Sequence, residues 1–174
     1  MNGVQTPDTE REARLRAWVD TYADVLLRTC YLYLGDRHLA QDALQETFFK
    51  AWRSMDKFEG NRVQNEKAWL VRIAMNVCRD HLRSPWHRRV DRHLALEDLP
   101  PSMQTAPQED RDLIIDISRL PVRYRQVILL YHYHGFTVQE MAAVLRIPAA
   151  TAYKRLRKGR QLLKDRLTGR DSHV

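Results

Sequence analysis

Basic and aromatic side chains collect near the C-terminal end in an order suited to binding a polyanion. Over residues 149–170, Lys154, Arg155, Arg157, Lys158, Arg160, Lys164, Arg166 and Arg170 are set against Asp165 as the sole acid, and the resulting +7 equals the formal charge of the whole chain. If this segment is helical, Ala152 and Leu156, four apart, take the inner side and leave Tyr153, Lys154, Arg157 and Lys158 pointing outward. Guanidinium and ammonium groups neutralise phosphates, and they also read guanine edges in a major groove. A run of like charge is by itself only a solvated helix surface, so the residues in front of it decide the matter.

Those residues run from 136 to 151. Thr137 followed three positions later by Glu140 is a capping box, which opens a short helix. Val138, Met141, Ala142 and Leu145 form one face of that helix, and small Ala142 permits close approach at a tight corner. Ile147 plugs the corner, and Pro148 suits the first turn of the next helix because its missing N–H has no partner there. This order reads as a helix-turn-helix rather than an ordinary hairpin with a basic skin. Tyr153, Lys154, Arg157 and Lys158 then approach base edges, while Arg155, Arg160 and the first helix's start at Thr137 lie nearer phosphates. Thr151 completes the duplex-contacting set.

Two features stand out nearer the N-terminus. Asp42, Gln45, Glu46 and Phe49 lie at i, i+3, i+4 and i+7, a polar and acidic strip with one aromatic, as on a partner-docking face. Further on, Phe58, Glu59, Gly60, Asn61 and Arg62 precede Trp69 and a helix carrying Lys67, Arg72, Arg79 and Arg83. Aromatic and hydrogen-bonding groups beside positive charge suit single-stranded bases.

Catalysis finds little support. His132 and His134, with His81, His87 and His93, suggest a metal, but residues two apart point to different sides of a helix, and no Glu-x-x-His or His-x-x-x-His face completes a site. The 132–134 run reads as the partly exposed end of a helix. With no nucleophile-base pair and no phosphate-binding cluster among the six glycines, the chain is expected to act by binding, without metal or cofactor. Cys30 and Cys78 sit in apolar helical patterns without a paired spacing and read as buried thiols.

The elements that position these groups follow from apolar spacing. Leu15, Trp18, Val19, Tyr22, Val25 and Leu26 mark a helix from about residue 10 to Gly35. Asp36 caps a second, with a buried stripe of Leu39, Ala43, Leu44, Thr47, Phe48, Ala51, Trp52 and Met55, followed by a turn at 59–61. A third spans 65–83 and ends at Ser84-Pro85. From 85 to 108 periodicity is lost and Pro85, Pro100, Pro101 and Pro107 occur, which predicts a linker. Helical spacing resumes at Leu113, breaks at Pro121 and stops at Gly135. The expected fold is all-α: two small helical domains, 11–84 and 111–168, joined by a flexible linker, 85–110, with a frayed tail from 168. The 174 residues, 44% of them hydrophobic, suffice for two packed cores, and no apolar run is long enough to span a membrane. A soluble, cytosolic protein is expected.

Blocks at 42–52 (Asp42, Gln45, Glu46, Phe48, Trp52), 69–76 (Trp69, Arg72, Ile73, Ala74, Asn76) and 120–127 (Leu120, Pro121, Tyr124, Arg125, Gln126, Val127), with the helix-turn-helix, resemble the group 4, extracytoplasmic-function sigma factors of the sigma-70 family. The resemblance covers about Ala17 to Leu167 in order. It implies a sigma-2-like bundle of three or four helices and a sigma-4-like helix-turn-helix domain. The partners it implies are core RNA polymerase, through the beta-prime clamp helices and the beta flap, promoter DNA, and an anti-sigma factor. Asp42, Gln45, Glu46 and Phe49 become the clamp contact. Phe58, Asn61, Arg62, Trp69, Arg72, Asn76 and Arg79 become the −10 surface, with a capture loop over 58–65, and the −35 duplex falls to the set at 137–160. Ala150 and Tyr153 stand where many relatives carry Gly and Arg, so no −35 sequence carries over. A conventional regulator with a sensing or dimerising first domain would leave the 42–46 strip and the aromatic loop without a purpose.

Overall fold

The computed structural model describes residues 7–59, 65–85, 99 and 101–171, and every element among them is helical. Helix α1 (Pro7–Leu34) carries Asp8 and Glu10 in its first turn, where carboxylates offset the positive end of the helix dipole. It stops at Gly35, whose φ of 68° suits a residue without a Cβ. Asp36 then starts α2 (Arg37–Arg53) by accepting a hydrogen bond from Leu39 N at 2.9 Å. The stripe expected for α2 is buried at Ala43, Thr47, Phe48 and Ala51. The helix breaks sooner than expected: Ser54 leaves the helical region at φ −105°, ψ 8°, and Met55 opens the short α3 (Met55–Glu59), turning Met55 and Phe58 inward. Asn65 caps α4 (Glu66–Arg83), accepting from Lys67 N at 2.9 Å. Helices α1, α2 and α4 pack pairwise into the first domain.

The segment expected as a linker contains a one-turn helix, α5 (Pro101–Gln104), with Leu99 and Met103 buried. Helix α6 (Gln108–Ser118) also starts inside it. A single turn shows no period, so apolar spacing had nothing to register there. Helix α7 (Val122–Ile128) begins after Pro121 and runs into a π-helical turn (Leu129–Tyr133) before Gly135. Both halves of the capping box open α8 (Val138–Leu145): Thr137 Oγ1 accepts from Glu140 N at 3.2 Å, and Thr137 N donates to Glu140 Oε2 at 2.8 Å. Arg146 makes the corner at φ 53°, left-handed without being glycine. Helix α9 (Ala149–Asp171) continues past the frayed tail expected from 168. No described helix is long and apolar enough to cross a membrane.

Gly159, buried in α9, sets how closely α9 approaches α7. A Cβ there would lie 3.2 Å from Ile128 Cγ1 and 3.4 Å from Tyr124 Cβ. Gly159→Leu should therefore overpack the second domain and cost about 1–3 kcal/mol. Thermal melting of the variant checks this, and an unchanged midpoint counts against the close approach.

The two domains meet along a seam in which α1 packs on α6 and α7, and α4 on α8. His134 is part of it. Expected at the partly exposed end of a helix, it is half-buried, with its Nε2 2.9 Å from Thr29 Oγ1 of α1. Burial, and then the Lys67 ammonium, bring the imidazole down to a pKa of about 4. The unfolded chain then binds that proton first, near pH 6.5. Stability from this group is complete above that pH and falls as pH drops toward 4, by up to about 3 kcal/mol. Urea midpoints measured from pH 7 to 4 should decline less steeply in His134→Gln, and parallel curves would refute the assignment.

Candidate nucleic-acid interface

The outer face of α9 is presented as the spacing predicts. Ala152 and Leu156 are buried against the domain, which leaves Tyr153 (56% exposed), Lys154, Arg157 and Lys158 in solvent, with Thr151 and Arg155 half-buried beside them. Thr137 is exposed at the N-terminus of α8, where free backbone N–H groups favour an anion. Arg160 behaves differently. Its Nε donates to His132 Nε2 at 3.0 Å, and its guanidinium lies 4.8 Å from the Tyr131 ring centroid. Burial and the Arg160 charge lower the His132 pKa, which keeps Nε2 available as an acceptor. A shallow groove of about 260 Å³ along α9 is lined by Tyr153, Arg157, Arg160 and Lys164.

On α4, Arg72, Asn76 and Arg79 repeat at helical spacing along a half-buried face. Arg72 Nε, Asn76 Oδ1 and Arg79 Nε are buried without a hydrogen-bond partner among the described residues. Such groups cost about 1–3 kcal/mol each when left unsatisfied. Asn76 lines a pocket of about 410 Å³ with Lys50, Arg53, Ser54, Lys57 and Ile73. The three cations were absent from the sequence-derived set, although their positions, three and four apart, align them on one side of α2 and α3. Asn61 and Arg62 lie outside the described residues.

Phe58 does not present a free aromatic face. It is 7% exposed, with its ring centroid 6.0 Å from Trp18 and 5.0 Å from Trp69, and Trp18 and Trp69 are 5.4 Å apart. The Arg14 guanidinium sits 5.4 Å from the Trp18 ring and 5.2 Å from Phe58. Half-buried Trp69 is the most accessible member of the cluster. Alternating apolar spacing could not separate a ring that packs from one that stacks on a ligand.

Asp42 and Gln45 are exposed on α2, and Phe49 is 59% exposed with the Arg53 guanidinium 5.7 Å from its centroid. Glu46 is held more firmly. It accepts from Lys50 Nζ at 2.8 Å and lies 3.0 Å from His81 Nε2. The bond from Lys50, aided by His81, keeps its carboxyl below the usual range despite partial burial. The strip thus combines two free polar groups, a fixed carboxylate and a large exposed ring, the composition of an interface core with a polar rim.

Comparison with known proteins covers both halves. The family model described as Sigma-70 region 2 matches residues 18–89, and that described as Sigma-70, region 4 matches residues 117–163. The ECF RNA polymerase sigma factor SigW of Bacillus subtilis is 30% identical over 166 residues, covering 86% of each chain. SigL of Mycobacterium tuberculosis is 33% identical over 150 residues, covering 83% of each. Among solved structures, the sigma factor RpoE of Bartonella quintana, in complex with the anti-sigma factor NepR, superposes with a TM-score of 0.70 at 21% identity. That match covers 88% of this chain and 96% of the other, and it shows a shared fold.

Proposed function

From the premise that this chain belongs to the sigma-70 family, as an extracytoplasmic-function sigma factor directing promoter-specific transcription initiation, we propose how its surfaces divide that work. The first domain, within 11–84, docks on the beta-prime clamp helices of core RNA polymerase through Asp42, Gln45, Glu46 and Phe49, and the second, within 111–168, sits on the beta flap. Tyr153, Lys154, Arg157 and Lys158 enter the major groove of the −35 duplex, and Thr137, Thr151 and Arg155 approach its phosphates. Arg160 reaches that backbone only after leaving His132. Opened −10 bases, one of them flipped out of the stack, lie along Arg72, Asn76 and Arg79. Unstacking costs a few kcal/mol, which the Asn76 amide, the pocket cations and stacking on half-buried Trp69 offset.

The subunit acts by binding, in the cytoplasm where polymerase works, and requires no cofactor. An anti-sigma partner is proposed by analogy with the structural relative above. The observation that carries the reading is the capped helix-turn-helix with four exposed polar groups on one side of α9, in the same chain as the α2 strip and the α4 face. Run-off transcription by bacterial core polymerase on fragments of the source genome tests it, with and without the protein. Discrete starts that depend on the protein support it. Tight duplex binding with no starts and no complex with core overturns it.

A further inference from the structure

The outward face of α9 divides into two chemistries. In its first turn Ala149 and Ala150 are exposed, and methyl-sized side chains let a helix end come close to the floor of a groove. Tyr153, one turn on, is 56% exposed, and among the described residues nothing stacks on its ring or bonds its hydroxyl. Lys154, Arg157 and Lys158 follow, exposed and equally without a partner among the described residues. Beyond them the face is occupied: Arg160 is held by His132 and Tyr131, and Gln161 Nε2 donates to Asp165 Oδ1 at 2.8 Å. The groups free to read a duplex are thus an apolar patch ending in one ring, and then three cations.

Each part has its own match on a base edge. An A·T pair shows the major groove a thymine C5-methyl, an apolar knob that a G·C pair lacks, while guanine shows O6 and N7 as paired acceptors. The Tyr153 ring offers a broad apolar surface with only two side-chain torsions to order, so it packs on a methyl group at small entropic cost. Arg157 carries the planar fork that meets O6 and N7 together, whereas the ammonium groups of Lys154 and Lys158 are point charges that add attraction without that geometry. Tyr153 and Arg157 are four residues apart on one side of α9 and line the same groove of about 260 Å³. Four residues of helix rise about 6 Å, close to two base-pair steps of ~3.4 Å. A single docking of α9 therefore brings both side chains to base edges at that separation.

We propose that α9 selects a −35 element in which an A·T pair, recognised by the Tyr153 ring through its thymine methyl, lies about two base pairs from a G·C pair whose guanine takes the Arg157 fork. This rests on the assignment of α9 to the −35 duplex given above. The test takes a promoter found by the run-off experiment, randomises its −35 region and selects the duplexes bound by holoenzyme assembled with wild type, Tyr153→Ala, Tyr153→Phe or Arg157→Ala. Both side chains are exposed, so the variants keep the fold. Wild type should enrich an A·T pair and a G·C pair about two positions apart. Replacing the thymine by deoxyuridine removes only the methyl group, and it should weaken binding by wild type and Tyr153→Phe about fourfold, the worth of one buried methyl, while leaving Tyr153→Ala unchanged. Replacing the guanine by 7-deazaguanine removes N7, and it should weaken wild type about fivefold or more while leaving Arg157→Ala unchanged. Equal responses to deoxyuridine in wild type and Tyr153→Ala, or Tyr153→Phe behaving as Tyr153→Ala does, overturn the ring contact. A guanine preference that survives in Arg157→Ala overturns the fork. If no variant alters the selected −35 sequence, or run-off finds no promoter, the assignment of α9 to the −35 duplex has itself failed, and the proposal falls with it.

Discussion

Replacing Trp18 by alanine is expected to destabilise the first domain by about 3–5 kcal/mol, the largest effect of any single change considered. Trp18 is 1% exposed and touches Phe58 and Trp69, so truncation removes transfer free energy and opens a cavity between α1, α3 and α4. The indole Nε1 is buried without a partner among the described residues, so removing its N–H relieves about 1–3 kcal/mol and brings the net loss toward the low end of that range. Urea unfolding of the full chain measures the effect as a lowered midpoint at unchanged slope. Trp18→Phe should lose much less, because an aromatic ring is kept. Equal losses for Phe and Ala would show that the ring contacts are not what the site contributes. Since Trp69 of the cluster lies on α4 with the proposed −10 face, −10 opening should weaken in Trp18→Ala at temperatures where the second domain is still folded.

Arg157→Ala is expected to reduce protein-dependent run-off transcription by about 10–100-fold, the range of one base-edge contact worth 1–3 kcal/mol. Arg157 is exposed and has no resolved role in packing α9, so melting should stay within about 0.5 kcal/mol of wild type. Complex formation with core polymerase should be unaffected, because the α2 strip lies in the other domain. Asp42→Ala with Phe49→Ala should show the reverse, with core binding lost and duplex binding by the free chain kept. If Arg157→Ala transcribes normally while Lys154→Ala does not, the register of α9 in the groove must be turned. If neither changes transcription, α9 is not the promoter-reading helix.

Short-range signals made much of this chain legible. The caps expected at Asp36 and Thr137 act within one helical turn, and both are formed as their residue types predict. The outward set on α9 followed from Ala152 and Leu156 alone, because burying two residues four apart orients a helix. Site assignments resting on residue type were less secure. Phe58 carries the same aromatic signal whether it packs or binds, and Arg160 the same charge whether it meets phosphate or His132.

What the amino-acid order determined by itself is therefore the all-helical content, the capped helix starts at Asp36 and Thr137 and the two-domain division. Each depends on interactions between residues a few positions apart, which hold in almost any surroundings. Tertiary structure alone decided the rest: the Trp18, Phe58 and Trp69 cluster, the burial of Leu99 and Met103, and the hydrogen bonds across the seam between the domains. Arg125 finds Tyr33 at a separation of 92 residues and His134 finds Thr29 at 105. No periodicity reports such pairs, because a guanidinium and a helix end meet only once both domains are folded and their leftover donors and acceptors come within reach.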